Sequence, residues 1–91
     1  MRNSILRKLR SPSVEIVSIL AENIRHLRKV KNISQEELAD LCGIHRTYVG
    51  SVERCERNVT LSTLELLSTA LEVSVVQLLT PMADDANCEQ P

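Results

Sequence analysis

The chain has 91 residues, which is the size of one small domain. Its hydrophobic fraction is 43% and its formal net charge is −1. No run of about 18 apolar residues occurs, so we expect no membrane span, and the absence of an apolar signal segment predicts a cytoplasmic protein. The three cysteines, Cys42, Cys55 and Cys88, lack CxxC spacing, which argues against a disulfide framework and a structural zinc site.

Charge is distributed unevenly along the chain. All 11 lysines and arginines lie at or before Arg57, whereas every charged residue after Asn58 is acidic. This asymmetry predicts one surface for a polyanion and a separate region with another role.

The beginning of the chain is basic and short, and it suits either a flexible arm or a helical turn. We assign residues 1–13 to an N-terminal extension, 14–80 to the folded domain and 81–91 to a disordered acidic tail. Ser11 and Pro12 form a suitable helix start. Apolar residues then recur at helical spacing and predict a first helix to about Lys31.

A second helix follows, bounded by strong local signals. Ser34 and Glu37 have the spacing of a capping box, and Gly43 suits the left-handed residue that ends a helix. The residues predicted to face inward are Leu38, Ala39 and Leu41.

Three further segments complete the domain. Ile44, Val49 and Val52 continue the apolar pattern on a third helix that ends near Arg54. Either Thr60 or Ser62 caps a fourth helix. A short fifth helix begins after Ser74, and Pro81 stops it. The sequence therefore predicts a compact, all-α domain of five helices.

The junction of the second and third helices predicts a helix-turn-helix. Ala39 is small enough for two helices to cross closely, and Gly43 allows the tight turn. Ile44, Val49 and Val52 anchor the third helix to the core.

Longer stretches of the chain resemble a known family. The segments "NIRHLRKVKNISQEELADLCGI", "RTYVGSVER" and "LELLSTALEVSVVQLL" are similar to those of the λ-repressor-like (XRE-type) helix-turn-helix family, over roughly Leu20 to Leu79. The segment "HRTYVGSVERCERNVT" further resembles controller proteins of restriction–modification systems. The resemblance implies a sequence-specific DNA-binding transcriptional regulator, autoregulatory and homodimeric, which places its third helix (about 45–54) in the major groove of a palindromic operator.

The resemblance also implies which residues contact double-stranded DNA. Tyr48, the only aromatic residue of the chain, would pack on sugar or a thymine methyl, and Arg46 would bond guanine. The alternative for Tyr48 is a ring that covers the edge of the core. The full set of predicted contacts is Gln35, His45, Arg46, Thr47, Tyr48, Ser51, Arg54, Arg57 and Asn58.

Two positions of the family form an ion pair in some members, and they correspond here to Arg28 and Glu53. We expect this pair to brace the first helix against the third, without a role in base recognition. The chain departs from the family pattern at Cys55, where glycine or asparagine is common, and at Val59, where proline is common.

The last two helices carry more apolar residues than a small domain needs. In this family such a surplus forms a homodimer interface, which implies a patch composed of Leu66, Val73, Val75, Val76, Leu78 and Leu79. A different function would use the same fold: an antitoxin or adaptor that binds another protein through the Val73–Leu79 region.

An enzyme is not expected. His26 and His45 have no acid or nucleophile partner at useful spacing, and Cys42 with His45 supplies too few ligands for a metal. We therefore predict no cofactor, no metal and no small-molecule effector.

Overall fold

A computed structural model describes residues 12–82, so the predictions for the first eleven residues and for the tail from residue 83 lie outside the described residues. Over the described range the chain forms five helices and no strand, which confirms the predicted fold class. The helices are α1 (Val14–Val30), α2 (Gln35–Cys42), α3 (Arg46–Glu53), α4 (Leu61–Leu71) and α5 (Val75–Leu78).

The first helix begins later than predicted. Ser13, in an extended conformation, accepts the N–H of Ile16 on its hydroxyl at 3.2 Å. Ser13 rather than Ser11 is thus the cap, and Pro12 precedes the helix instead of occupying its first turn. Both serines are acceptable caps in the sequence, and Ser13 is the one whose extended backbone brings its hydroxyl to a first-turn amide.

Side-chain caps begin three of the other helices. The capping box of Ser34 and Glu37 is confirmed, with reciprocal hydrogen bonds of 3.0 and 2.7 Å. Thr60, one of the two predicted alternatives, caps α4. Ser74 caps α5, and Gln77 completes a second capping box there.

Four of the described helices end in the same way. A residue in the left-handed region follows α1, α2, α3 and α4. The amide N–H of the next residue donates to the carbonyl five residues before it. Examples are Ile44 N–H to the carbonyl of Ala39 at 3.0 Å and Glu56 N–H to that of Ser51 at 2.8 Å. This is the Schellman motif. The four left-handed residues are Asn32, Gly43, Cys55 and Glu72.

The core is aliphatic, and each of the five helices contributes at least one buried side chain to it. One prediction about its lining is wrong: Leu41 is 63% exposed. The buried positions of α2 are Leu38, Ala39 and Cys42. Because these three positions define one side of an eight-residue helix, Leu41 lies beyond the edge of the buried arc.

A buried asparagine joins the two ends of the domain. Asn23 of α1 is 1% exposed, and its side-chain nitrogen donates to the carbonyls of Leu78 and Thr80, each at 2.8 Å. The end of α5 is thereby held against α1. The prediction that Leu78 belongs to a dimer interface is wrong, because its side chain is 0% exposed within the monomer.

Candidate nucleic-acid interface

Helices α2 and α3 form the predicted helix-turn-helix. Ala39 is 1% exposed at the crossing, Val49 and Val52 are buried, and Gly43 turns the chain with a φ of +71°. With its apolar side fixed to the core, α3 presents its first turn outwards. His45, Arg46 and Thr47 are exposed there, and Arg46 has no side-chain hydrogen bond to another described residue.

Three polar side chains connect α1, α2 and α3 at the end of α3. Arg28 donates to both carboxylate oxygens of Glu53, at 2.8 and 3.1 Å. Gln35 donates its amide N–H to the same carboxylate at 3.0 Å. Glu53 is 4% exposed, so its negative charge is balanced inside the protein rather than by water.

The hydrogen bond to Glu53 raises the pKa of Arg28 further above its ordinary value. A buried carboxylate stabilises the charged guanidinium, and this effect outweighs the cost of partial burial. Arg25 reinforces the joint by donating to the backbone carbonyl of Glu53. The position of α3 relative to α1 therefore depends on charge-assisted hydrogen bonds as well as on apolar packing.

Tyr48 lies at the border between the core and the surface. Its ring is half-buried against the core, and the guanidinium carbon of Arg57 lies 4.8 Å from the ring centroid. Such a cation–π contact stabilises an exposed arginine by about 0.5–1 kcal/mol. One side of the ring thus meets the core, as the alternative description of Tyr48 has it, and the ring remains partly accessible. Its contact with DNA stays a prediction.

Ser51 does not lie on the outer face as predicted. It is 7% exposed, and its hydroxyl donates to the carbonyl of Tyr48 at 2.8 Å and accepts from Arg57 Nε at 3.0 Å. The loop after α3 folds back, so that Arg57 covers this position. Contact of the Ser51 side chain with a base would require Arg57 to move.

The loop after α3 exposes its polar residues. Arg54 pairs with Glu56 through two hydrogen bonds of 3.2 Å, and Asn58 is exposed. Cys55 adopts the left-handed conformation with a φ of +64°, which explains why glycine or asparagine suits this position. Cys55 therefore takes the left-handed position of the Schellman motif that ends α3, although it carries a β-carbon.

The predicted dimer residues divide into three groups. Leu66 and Val76 are exposed, at 43% and 72%. Val73, Val75 and Leu79 are half-buried and pack against the core, whereas Leu78 belongs to it. The other large apolar residues exposed in the described range are Val14, Ile16, Val30, Leu41 and Leu61.

Three further observations concern residues 12–82. In that range no group of three or more potential metal-ligating side chains is present, and none of the described helices has the length and apolar character to cross a membrane. Cys42 is buried, with its thiol 3.6 Å from the carbonyl of Leu66. Burial raises the pKa of this thiol, which makes it a weak nucleophile.

Comparison with known proteins identifies the family. The model of the helix-turn-helix family HTH_3 matches residues 24–78. The control protein C.SmaI of Serratia marcescens is 61% identical over 67 residues, which cover 74% of this chain and 80% of that protein.

Solved structures agree with this result. The crystal structure of the hypothetical transcription factor NHTF from Neisseria has a TM-score of 0.74 and 41% identity, over 87% of this chain and 92% of that one. The restriction-modification controller protein C.Esp1396I, crystallised as a tetramer with its natural 35 base-pair operator, has a TM-score of 0.64 and 38% identity, over 69% and 83%. The family match spans the second half of α1 and all of the four helices that follow, and the chain therefore belongs to the λ-repressor-like (XRE-type) helix-turn-helix family of transcriptional regulators.

Proposed function

We propose that the protein is a sequence-specific DNA-binding regulator of the controller type, which acts as a homodimer on a near-palindromic operator upstream of its own gene. The observation that carries the proposal is the exposed first turn of α3. Arg46 and Thr47 face solvent there, whereas later residues of the same helix pack on the core. An α-helix with such a face fits the major groove.

The chemistry of this turn suits base recognition. The guanidinium of Arg46 can donate two parallel hydrogen bonds to O6 and N7 of guanine. Thr47 offers a hydroxyl for a base edge and a methyl for thymine. Because Arg46 is exposed and bonds no other described side chain, it is available for DNA without breaking an internal contact.

The surroundings of α3 suit the DNA backbone. The first amides of α2 have no acceptor within their helix, and Gln35 lies at that end. Helix N-termini bind phosphate through such amides. Arg54, Arg57 and Asn58 extend the polar surface beyond the other end of α3, where backbone contacts would fix the register of the helix in the groove.

Dimerisation is supported by the exposed apolar residues Leu66 and Val76 on α4 and α5. A twofold dimer through this surface would present two copies of α3 about 34 Å apart, one turn of DNA. The operator complex of C.Esp1396I is a tetramer on 35 base pairs. It supports a second form of assembly for this chain, in which two dimers bind one operator. The names of C.SmaI and C.Esp1396I support a controller role for this chain.

The test is a gel shift with the DNA immediately upstream of the gene, in a salt series with random competitor. We expect a discrete complex that survives competitor and contains two or four chains. Binding no tighter than to random DNA would refute an operator at that position. A change in hydrodynamic mass on addition of a neighbouring gene's product, without specific DNA binding, would favour the antitoxin or adaptor function through the Val73–Leu79 region.

A further inference from the structure

One of the two glycines of the chain, Gly50, lies in the interior of α3. Glycine is an unfavourable residue there, because it loses more conformational freedom on folding than alanine does. Its backbone is not in the left-handed region, so the conformation of α3 does not require glycine. The reason must lie in the space that a side chain would occupy.

That space is taken by two side chains of the proposed DNA-binding surface. A β-carbon at Gly50 would lie 3.1 Å from one terminal nitrogen of Arg54 and 3.5 Å from the amide oxygen of Gln35. Arg54 follows Gly50 by four residues, and long helical side chains lean back over the preceding turn. Its guanidinium therefore lies on the bare Cα of Gly50, and Gln35 approaches the same place from α2.

The guanidinium of Arg54 is held from the other direction as well. Its Nε and second terminal nitrogen donate to Glu56, both at 3.2 Å. Gln35 is fixed separately by its bond to Glu53. Gly50, Glu56 and Gln35 thus surround Arg54 and reduce the number of positions open to a side chain that is otherwise 59% exposed.

We propose that Gly50 is a positioning residue for DNA binding, whose missing side chain seats the Arg54 guanidinium beside Gln35 so that both meet the DNA backbone together. The inference rests on the proposed function, in which Arg54 and Gln35 are backbone contacts. It adds that Gly50 sets the geometry of the pair although it has no side chain with which to contact DNA.

This role predicts opposite changes in stability and in binding. The atom that an added methyl would meet is the far end of a flexible, exposed side chain, so Arg54 moves and the core does not. Alanine is also the better helix former. Gly50→Ala should therefore raise Tm by a few degrees and weaken DNA binding, whereas a purely structural glycine would show a lower Tm.

The experiment compares wild type, Gly50→Ala, Arg54→Ala and the double variant on the cognate site, with Tm and a salt series for each. For Gly50→Ala we expect several-fold weaker binding with unchanged base preference, and a smaller loss than for Arg54→Ala, whose salt slope should fall by about one, as for loss of one phosphate contact. In the Arg54→Ala background the added methyl should have little effect, because the side chain that it displaces is gone.

Unchanged affinity of Gly50→Ala would overturn the inference, as would a lower Tm or an equal loss in the Arg54→Ala background. Wild type that binds no specific DNA would instead refute the proposed function, and the inference with it. The two failures are distinguishable because the first requires a wild-type protein that binds its operator.

Discussion

Arg28 and Glu53 form a two-point ion pair between the last turn of α1 and the last residue of α3, with distances of 2.8 and 3.1 Å. Their side chains are 15% and 4% exposed. The pair therefore lies largely out of water, at the joint that determines how α3 is presented.

Loss of one member of this pair should destabilise the protein strongly. We expect Arg28→Met to lower the free energy of unfolding by about 3 kcal/mol, because the carboxylate of Glu53 would stay buried without its main counter-ion. The matched control is the double variant Arg28→Met/Glu53→Leu, which removes both charges and should recover most of the loss. Urea denaturation followed by circular dichroism measures both; equal instability of the single and double variants would contradict this account.

Arg46 should contribute sequence discrimination. On the proposed function, Arg46→Ala weakens binding to the cognate operator by about 1–3 kcal/mol and relaxes the preference at one base position. Arg54→Ala is the control, since loss of a phosphate contact should weaken binding to all sequences alike and reduce the salt slope. Competition assays on single-base operator variants distinguish the two. An equal loss on random DNA would identify Arg46 as a backbone contact.

The left-handed conformation of Cys55 predicts a stabilising substitution. Cys55→Gly should raise the free energy of unfolding by about 1 kcal/mol, because a β-carbon is unfavourable at a φ of +64°. Cys55→Ala removes the thiol but keeps the β-carbon, so it should leave stability nearly unchanged. Thermal denaturation of the two variants checks the prediction, and an equal Tm for both would show that no strain is released there.

The hydrogen bonds of Asn23 should contribute more to stability than an average polar contact. Asn23→Leu has a similar volume but leaves the buried carbonyl of Leu78 without its donor, which we expect to lower the free energy of unfolding by about 2 kcal/mol. Ser68→Ala is the control: Ser68 is also buried, yet its hydroxyl bonds only a carbonyl of its own helix. Hydrogen exchange should show faster opening of Val75–Leu78 in Asn23→Leu; unchanged protection would argue that Asn23 does not anchor α5.

The two described cysteines should differ in reactivity. Burial raises the pKa of Cys42, so at pH 8 its reactive thiolate is scarce as well as enclosed, whereas Cys55 is exposed. In a Cys88→Ser variant we expect iodoacetamide to add one group to the native protein, at Cys55, and two groups in urea. Mass spectrometry reads the count directly. Rapid labelling of Cys42 in the native state would mean that α2 and α4 separate easily near Leu66.

The sequence by itself was enough to predict the features that depend on near neighbours. Capping boxes and apolar periodicity are local, and they predicted five helices and the turn at Gly43. The starting point of α1 was misplaced because Ser11 and Ser13 are both acceptable caps, and only the observed geometry chooses between them. The family motif added the pairing of Arg28 with Glu53, which periodicity alone does not specify.

Tertiary structure decided which face each borderline residue occupies. Ser51 is enclosed because Arg57, six residues later, folds back over it. Leu78 is buried where Asn23, 55 residues earlier, holds the end of α5 against α1. Leu41 is exposed because it lies beyond the buried side of α2. Such contacts join residues that no local pattern relates. The role of Gly50 likewise becomes visible only when Gln35 and Arg54 converge on it, since an empty space is a property of the assembled fold and not of the residue.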